Sequence, residues 1–305
     1  MAAATRYAVV TGANKGVGFE VVRQLVSHGI IVVLTARDEK RGLDALHKLK
    51  ESGGFFGDRL LFHQLDVADS SSVDSLAGFI KNQFGRLDIL VNNAGVLGCH
   101  INEDKIKASS AARGRSGTSQ VSWGVVANAI TESYELAIEC FQINYHGAKI
   151  MVQAFLPLLQ LSHSARIVNV SSDMGNLESI PSEWAKGILN DVDNLTEERV
   201  DDVLNVFLKD FKEGSLKDRG WPRFLSAYTV SKAALNAYTR ILAKKHHNIQ
   251  VNCVCPGFAK TDMNLHSGTC PVEECAGRIV KVALQPDDGP SGLYFVHGRV
   301  TPFCG

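Results

Sequence analysis

Short apolar runs recur along the chain, separated by stretches in which apolar residues repeat at helical spacing. The runs lie at 7–11, 30–35, 60–65, 89–92, 166–171 and 249–254, with a weaker one at 292–296. Several are apolar throughout, as strands covered on both faces are, and helical patterns such as 18–28 and 72–84 fill the intervals. This alternation predicts an α/β fold with a doubly wound parallel sheet of about seven strands.

Two stretches interrupt this alternation. The first runs from about 97 to 130 and contains a small, polar segment at 108–119 that is typical of a surface loop. The second runs from about 173 to 225, and Thr196 followed by two glutamates is a typical helix start within it. Apolar residues that recur at helical spacing there are Val200, Val203, Leu204, Phe207, Leu208 and Phe211. Because neither stretch resembles a flexible linker, we expect one domain, 1–305, with two insertions.

Composition narrows the class of protein. The 305 residues are 45% hydrophobic, which is enough for one large core. Basic and acidic residues balance at 32 each, so no excess charge points to nucleic acid or to an anionic membrane surface. The seven cysteines include no Cys-x-x-Cys pair, which favours free thiols in a reducing compartment over disulfides or a metal site.

The chain also lacks the sequence signals of targeting and membrane insertion. The residues before the first apolar run are too few for a signal or transit peptide, and no apolar stretch approaches the ~20 residues that span a bilayer. We therefore expect a cytoplasmic protein that binds neither membrane nor nucleic acid.

A glycine-rich turn links the first predicted strand to the first helix. Gly12, Gly16 and Gly18 let the backbone turn tightly and approach a pyrophosphate, while the helix N-terminus offers N–H donors and a positive dipole end. The spacing differs from the common Gly-x-Gly-x-x-Gly, so the strand–turn–helix context carries this interpretation. A glycine turn without a ligand is the alternative.

The end of the second predicted strand indicates which nucleotide would bind. NAD sites often place an acid there to bind the ribose hydroxyls, whereas this chain has Arg37, with Arg41 one helical turn later and Lys15 in the glycine turn. Such cations suit a 2′-phosphate, which arginine binds through paired hydrogen bonds. The alternative is that Arg37 is a solvated surface residue, and Asp38 offsets part of the charge. The arrangement favours NADP(H) over NAD(H).

Tyr228 and Lys232 lie one helical turn apart and share a helix face. The ammonium should favour the phenolate and lower the tyrosine pKa, so that the phenol can exchange a proton with a carbonyl or alcohol oxygen. Taken alone, such a pair is more often a feature of a helix surface. The nucleotide site elsewhere in the chain favours a redox enzyme.

A set of ordered motifs across almost the whole chain resembles the short-chain dehydrogenases/reductases. The motifs are Thr11-Gly-x-x-x-Gly-x-Gly18, Asn92-Asn-Ala-Gly95, Ser171-Ser172, Tyr228-x-x-x-Lys232 and Pro256-Gly257. Within that family the segments at 14–20, 62–67 and 286–292 are similar to the plant salutaridine reductase and menthol-forming reductase group. Mammalian carbonyl reductase is a more distant likeness.

The resemblance implies a Rossmann-type fold whose two insertions form a lid, and it implies the site residues. The implied catalytic residues are Asn144, Ser172, Tyr228 and Lys232. The implied cofactor-binding residues are Gly12, Asn14, Lys15, Gly16, Val17, Gly18, Arg37, Arg41, Asp66, Val67, Asn93, Ala94, Gly95, Tyr228, Lys232, Pro256, Gly257 and Thr261. In most members the serine and the tyrosine lie much closer in sequence. Here the 173–225 insertion separates them, as in salutaridine reductase-like members.

The predicted activity is NADPH-dependent reduction of a small-molecule ketone or aldehyde, with no metal. A bulky, apolar ketone of plant secondary metabolism, such as a terpenoid or alkaloid, suits a lid. Candidate walls are Trp123, Trp184, Trp221 and Phe224, although each is more typical of core or lid packing than of ligand contact. Segment 111–120 would be its flap. Two alternatives are an enone carbon–carbon double-bond reductase, in which the family's tyrosine position is altered, and a non-catalytic NADP(H)-binding regulatory protein. Since related insertions cover the usual dimer interface, we expect a monomer.

Overall fold

The computed structural model describes residues 5–52, 57–102, 104–105 and 129–304. Strands in these ranges are β1 (Tyr7–Val10), β2 (Ile31–Ala36), β3 (Leu60–Gln64), β4 (Ile89–Asn92), β5 (His100–Ile101), β6 (Ile130–Thr131), β7 (Arg166–Val170), β8 (Gln250–Cys255), β9 (Tyr294–Val296) and β10 (Arg299–Thr301). Eight of them form one sheet in the order β10-β9-β8-β7-β4-β1-β2-β3, while β5 and β6 pair separately. Its pairings are parallel except β9 with β10.

This order confirms the predicted doubly wound, Rossmann-type α/β fold. The chain runs outward in one direction from β1 to β3 and in the other from β4 to β9, so the order reverses between β1 and β4. In open sheets of this kind, ligands bind at the carboxyl ends of the strands beside such a reversal.

Helices cover both faces of the sheet. They are α1 (Gly16–Ser27), α2 (Glu39–Glu51), α3 (Ser70–Phe84), α4 (Tyr134–Phe141), α5 (Gly147–Leu159), α6 (Glu183–Asn190), α7 (Glu197–Lys212), α8 (Ser226–Lys245) and α9 (Val272–Ala283). Buried residues of α1, α2 and α9 share one core, and those of α3, α4, α5, α7 and α8 share the other. The π-helical turn Gln142–His146 joins α4 to α5.

The wholly apolar strand sequences follow from this two-sided cover. Neighbouring strand residues point to opposite faces, so Val9 of β1 joins one core while Ala8 and Val10 join the other. The eighth strand, β10, is exposed and too short to show a pattern, which is why the sequence predicted about seven. His297 and Gly298 turn the chain between β9 and β10 with φ values of 48° and 76°, as a tight antiparallel hairpin requires.

Helix α7 forms the middle of the second insertion. It begins where predicted, because the Thr196 side chain accepts a hydrogen bond from the Arg199 N–H at 3.3 Å. Its apolar stripe packs against α4, α6 and α8, with four of the six residues buried and Leu208 and Phe211 half-buried. The Phe207 ring lies 5.3 Å from that of Phe141 and 5.1 Å from that of Trp221.

Most of the first insertion, including Trp123 and the expected flap at 111–120, lies outside the described residues. Among the helices that the structure describes, none combines the length and the apolar character that crossing a bilayer requires.

Candidate active site

The carboxyl ends of four neighbouring strands bring the predicted site segments together. The glycine turn follows β1, the Asn92–Gly95 turn follows β4, Ser172 follows β7 and Pro256 follows β8. Helix α8 packs on β7 and β8 and adds Tyr228 and Lys232. All these segments meet beside the reversal of strand order.

Tyr228 and Ser172 meet although the second insertion separates them in sequence. The phenol lies close enough to the Ser172 side chain for the serine to act on its pKa. Burial raises the Tyr228 pKa above its ordinary value, and the interaction with Ser172 lowers it only in part. The expectation of a tyrosine pKa below its usual value is therefore wrong for this structure, because desolvation of the phenolate is the largest effect.

Lys232 is buried beside the phenol. Its Nζ donates a hydrogen bond to the Val170 carbonyl oxygen at 2.8 Å and lies 5.7 Å from the centroid of the Tyr228 ring. Burial lowers the pKa of the amine to about 8. An amine with that pKa titrates near neutral pH, so Lys232 can gain or lose a proton beside Tyr228.

The N-terminus of α8 is held by a residue that the sequence did not single out. Leu225, directly before the helix, has a φ of 46° and provides no side-chain cap. Instead, Glu132 accepts hydrogen bonds from the Ser226 N–H at 2.7 Å and from the Ser226 hydroxyl at 2.8 Å. A carboxylate at a helix N-terminus is stabilising, so Glu132 fixes the first turn, which carries Tyr228.

Asn144 lies in the π-helical turn, and its amide is fully engaged by protein groups. Its Oδ1 accepts from the Val96 N–H at 2.8 Å, and its Nδ2 donates to the Val96 carbonyl and to Ser231 Oγ, both at 2.9 Å. The amide therefore ties the turn after β4 to α8. A Cβ on Gly95 would lie 3.2 Å from Asn144 Oδ1 and 3.4 Å from Lys232 Nζ, so glycine allows this close approach.

Short contacts hold the glycine turn against the turn after β4. Gly12 has a φ of 61°, and a Cβ there would lie 2.9 Å from Ala94 Cα. Asn93 Nδ2 donates to the Thr11 and Gly12 carbonyls at 2.8 and 3.1 Å. The Thr11 hydroxyl accepts from the Asn93 and Ala94 N–H groups, each at 2.9 Å. Thr11 was part of the motif, but its role as an anchor depends on residues distant in sequence.

The residues at this turn fit a dinucleotide phosphate. Gly16 has a φ of 59° and begins α1, whose first turn has no side-chain cap. Asn14 and Val17 beside it are half-buried. Uncapped N–H groups at a helix start, reached through glycines, provide the donor set that a pyrophosphate needs.

The residues predicted to bind the 2′-phosphate lie in two separate places. Arg37 follows β2 with its side chain 68% exposed, 4.0 Å from Glu139, and Arg41 lies one turn into α2, 3.9 Å from Asp38. Asp38 also caps α2 by accepting from the Arg41 N–H at 2.8 Å. Lys15 lies elsewhere, in an ion pair of 2.9 Å with Asp262.

The remaining predicted residues line the same edge of the sheet. Asp66 accepts from the Ala68 N–H at 3.0 Å, and Val67 is nearly buried beyond β3. Gly257 has a φ of 98° directly after Pro256. Thr261 starts the short helix Asp262–Asn264, and a Cβ on Gly16 would lie 3.4 Å from its methyl group.

The residues proposed as walls of the substrate pocket lie in different environments. Trp221 is buried in the core, where its Nε1 donates to Asp210 Oδ2 at 2.8 Å, which agrees with the core-packing interpretation of this residue. Trp184 is exposed and lies edge-on to Trp221 at 6.5 Å. Phe224 is half-buried just before α8.

Comparison with known proteins adds independent findings. Residues 6–183 match a family model described as short chain dehydrogenase, and residues 214–277 match one described as enoyl-(acyl carrier protein) reductase. The chain is 56% identical over 299 residues to a (+)-neomenthol dehydrogenase of Arabidopsis thaliana, covering 98% of each. It is 33% identical over 314 residues to carbonyl reductase [NADPH] 1 of Mus musculus, covering 99% of this chain and 100% of the relative.

A solved structure of salutaridine reductase from Papaver somniferum superimposes with a TM-score of 0.89 at 51% identity. The match covers 95% of this chain and 99% of that one. The similarity therefore includes the second insertion as well as the sheet.

Proposed function

Because this chain belongs to the short-chain dehydrogenase/reductase family, we propose that it reduces a bulky, apolar ketone of the terpenoid or alkaloid type with NADPH. Its relatives are dehydrogenases and reductases, so it is an oxidoreductase acting on carbonyl and hydroxyl groups. The observation that carries the proposal is that the phenol of Tyr228 lies beside the Ser172 side chain, which lowers its pKa, with the amine of Lys232 next to it. Relatives named for neomenthol and salutaridine support the class of substrate.

In this proposal Tyr228 is the proton donor and Ser172 positions the substrate oxygen. A phenol whose pKa burial raises stays protonated at neutral pH, which suits an acid that protonates a carbonyl oxygen. The Ser172 hydroxyl lies beside the phenol, so an oxygen that accepts from both groups would lie between them. NADPH, when bound, would supply the hydride.

Lys232 and Asn144 support these two groups. Lys232, with a pKa of about 8, can return a proton toward Tyr228 and would hold the nicotinamide ribose. Asn144 is one of the catalytic residues that the resemblance implies, but its amide is occupied by Val96 and Ser231. We therefore propose that Asn144 fixes the turn over the cofactor.

The cofactor preference is also a proposal. The exposed guanidinium groups of Arg37 and Arg41 at the end of β2 would bind the 2′-phosphate of NADPH. The name of the mouse relative, carbonyl reductase [NADPH] 1, supports this preference. Lys15 would join them only after leaving Asp262.

The direct test is NADPH oxidation, followed by absorbance, with a panel of cyclic terpenoid and alkaloid ketones. We expect ketone-dependent oxidation, with an alcohol product identified by NMR. Tyr228→Phe should lower kcat by at least about 100-fold, because it removes the acid, and should leave NADPH affinity nearly unchanged.

The outcomes separate the alternatives. A Tyr228→Phe enzyme with wild-type turnover would refute the assignment of the acid. A saturated ketone as product would identify a double-bond reductase. Tight NADPH binding without turnover of any ketone would indicate a binding protein.

A further inference from the structure

A second tyrosine contacts the catalytic serine from a different part of the chain. Tyr294 of β9 is fully buried, and its hydroxyl donates a hydrogen bond to the backbone carbonyl of Ser172 at 2.7 Å. Strand β8 lies between β9 and β7, so this side chain reaches past one strand to the end of the next. It contacts the backbone of Ser172, whereas the Ser172 hydroxyl accepts from the Met174 N–H at 3.3 Å and can still donate toward a substrate oxygen.

The C-terminal residues hold Tyr294 in place. The Phe303 ring stacks on Tyr294 with centroids 5.5 Å apart and planes 20° from parallel, and the Arg240 guanidinium lies 4.6 Å from the centroid of Phe303. The carbonyl of Phe303 accepts from the Leu177 N–H at 2.9 Å. The chain end is thus attached to both Tyr294 and the segment 172–177.

We propose that Tyr294, held by Phe303, is a positioning residue that sets the Ser172 hydroxyl against Tyr228 and the substrate carbonyl. The inference rests on the proposed function and extends it to the C-terminal strand pair. A serine side chain has a single heavy-atom torsion, so the position of its hydroxyl follows its backbone closely. A displacement of about 1 Å at such a group can cost a large factor in rate.

The local bonding predicts a shift of the serine without general unfolding. The Ser172 carbonyl also accepts from the Gly175 N–H at 2.8 Å, so it keeps one partner when Tyr294 loses its hydroxyl. The ring of a phenylalanine would still stack on Phe303. Only the constraint on the position of residue 172 is removed.

The test compares Tyr294→Phe with Tyr238→Phe, a matched loss of a buried hydroxyl on α8. We expect Tyr294→Phe to lower kcat for the ketone about tenfold, with NADPH affinity within about twofold of wild type. For oxidation of the alcohol, the pH below which kcat falls should be higher in Tyr294→Phe than in the wild type. The reason is that a displaced Ser172 lowers the Tyr228 pKa less. Tyr238→Phe should change neither kcat nor the pH profile.

A second variant and a structural measurement complete the test. Phe303→Leu removes the stacking ring and keeps the Tyr294 hydroxyl, so it should shift kcat and the pH profile in the same direction by less. Amide hydrogen exchange across 172–177 should rise in Tyr294→Phe and stay unchanged in Tyr238→Phe.

Failure of the inference differs from failure of the proposed function. If the wild-type enzyme reduces the ketone, and Tyr294→Phe has the same kcat and pH profile as the wild type, only the positioning role is overturned. Equal losses in Tyr294→Phe and Tyr238→Phe also overturn it, because they indicate a general loss of stability. A wild-type enzyme that reduces no ketone overturns the function and this role with it.

Discussion

Lys232 is an amine that the fold keeps away from water. Its Nζ donates a hydrogen bond to the Val170 carbonyl, and burial lowers its pKa from 10.5 to about 8. Below pH 8 the folded and unfolded chains both carry the charge, and the folded state bears the full desolvation penalty. Between pH 8 and 10.5 the folded amine is neutral while the unfolded one is still charged, so the penalty fades as pH rises.

This titration predicts how stability changes with pH. We compare the free energy of unfolding of Lys232→Met with that of the wild type. The advantage of the variant should be about 2 kcal/mol larger near pH 7 than near pH 10. The measurement is urea unfolding of both cofactor-free proteins at each pH. Groups other than Lys232 titrate in both proteins, so their effects cancel. If the variant and the wild type differed in unfolding free energy by the same amount at both pH values, the amine of Lys232 would not have the lowered pKa that burial gives it.

The end of β2 carries the second prediction at the residue scale. Arg37→Ala should weaken NADPH about tenfold or more and leave NADH nearly unchanged, because a charge-assisted bond to the 2′-phosphate is lost only with NADPH. Cofactor affinity is measured by fluorescence titration. Lys50→Ala removes an exposed cation of α2 farther along the helix and serves as the control. If Arg37→Ala weakened both cofactors equally, the 2′-phosphate assignment would be wrong.

At the scale of elements, the sequence predicted what local patterns encode. The strands from β1 to β9 in the large sheet could be located because each carries a run of apolar residues, which is buried in most of them and half-buried in β3. Helix α7 could be located because Thr196 and its apolar stripe are local signals. Strand β10 could not, since it has three residues, two of them exposed, and forms only by pairing with β9.

The sequence predicted which residues form the site, but it did not predict the burial and the contacts of those residues. Motifs and family resemblance named Tyr228, Ser172 and Lys232, which the structure brings together. The direction of the Tyr228 pKa shift was not predictable, because it depends on how completely the surrounding elements exclude water. Glu132 and Tyr294 were missed for a related reason: each acts through a contact with a residue far along the chain.

The second insertion affects the whole molecule through the surface that it covers. Helix α7 packs on α4 and α8 with Val200, Val203, Leu204 and Phe207 buried. Lys149 of α5 adds ion pairs to Glu197 at 3.4 Å and to Asp201 at 2.9 Å. The apolar face of α4 and α8 is therefore covered within one chain.

We accordingly predict a monomer of 33.1 kDa in light scattering at micromolar concentration. A double variant, Val203→Asp with Leu204→Asp, should detach α7, because it places two carboxylates in an apolar core at a cost of several kcal/mol. The exposed face of α4 and α8 should then associate, and the mass should rise with protein concentration. Val192→Asp, at an exposed position of the same insertion, should stay monomeric. A wild-type dimer would show that α7 leaves another surface free for association.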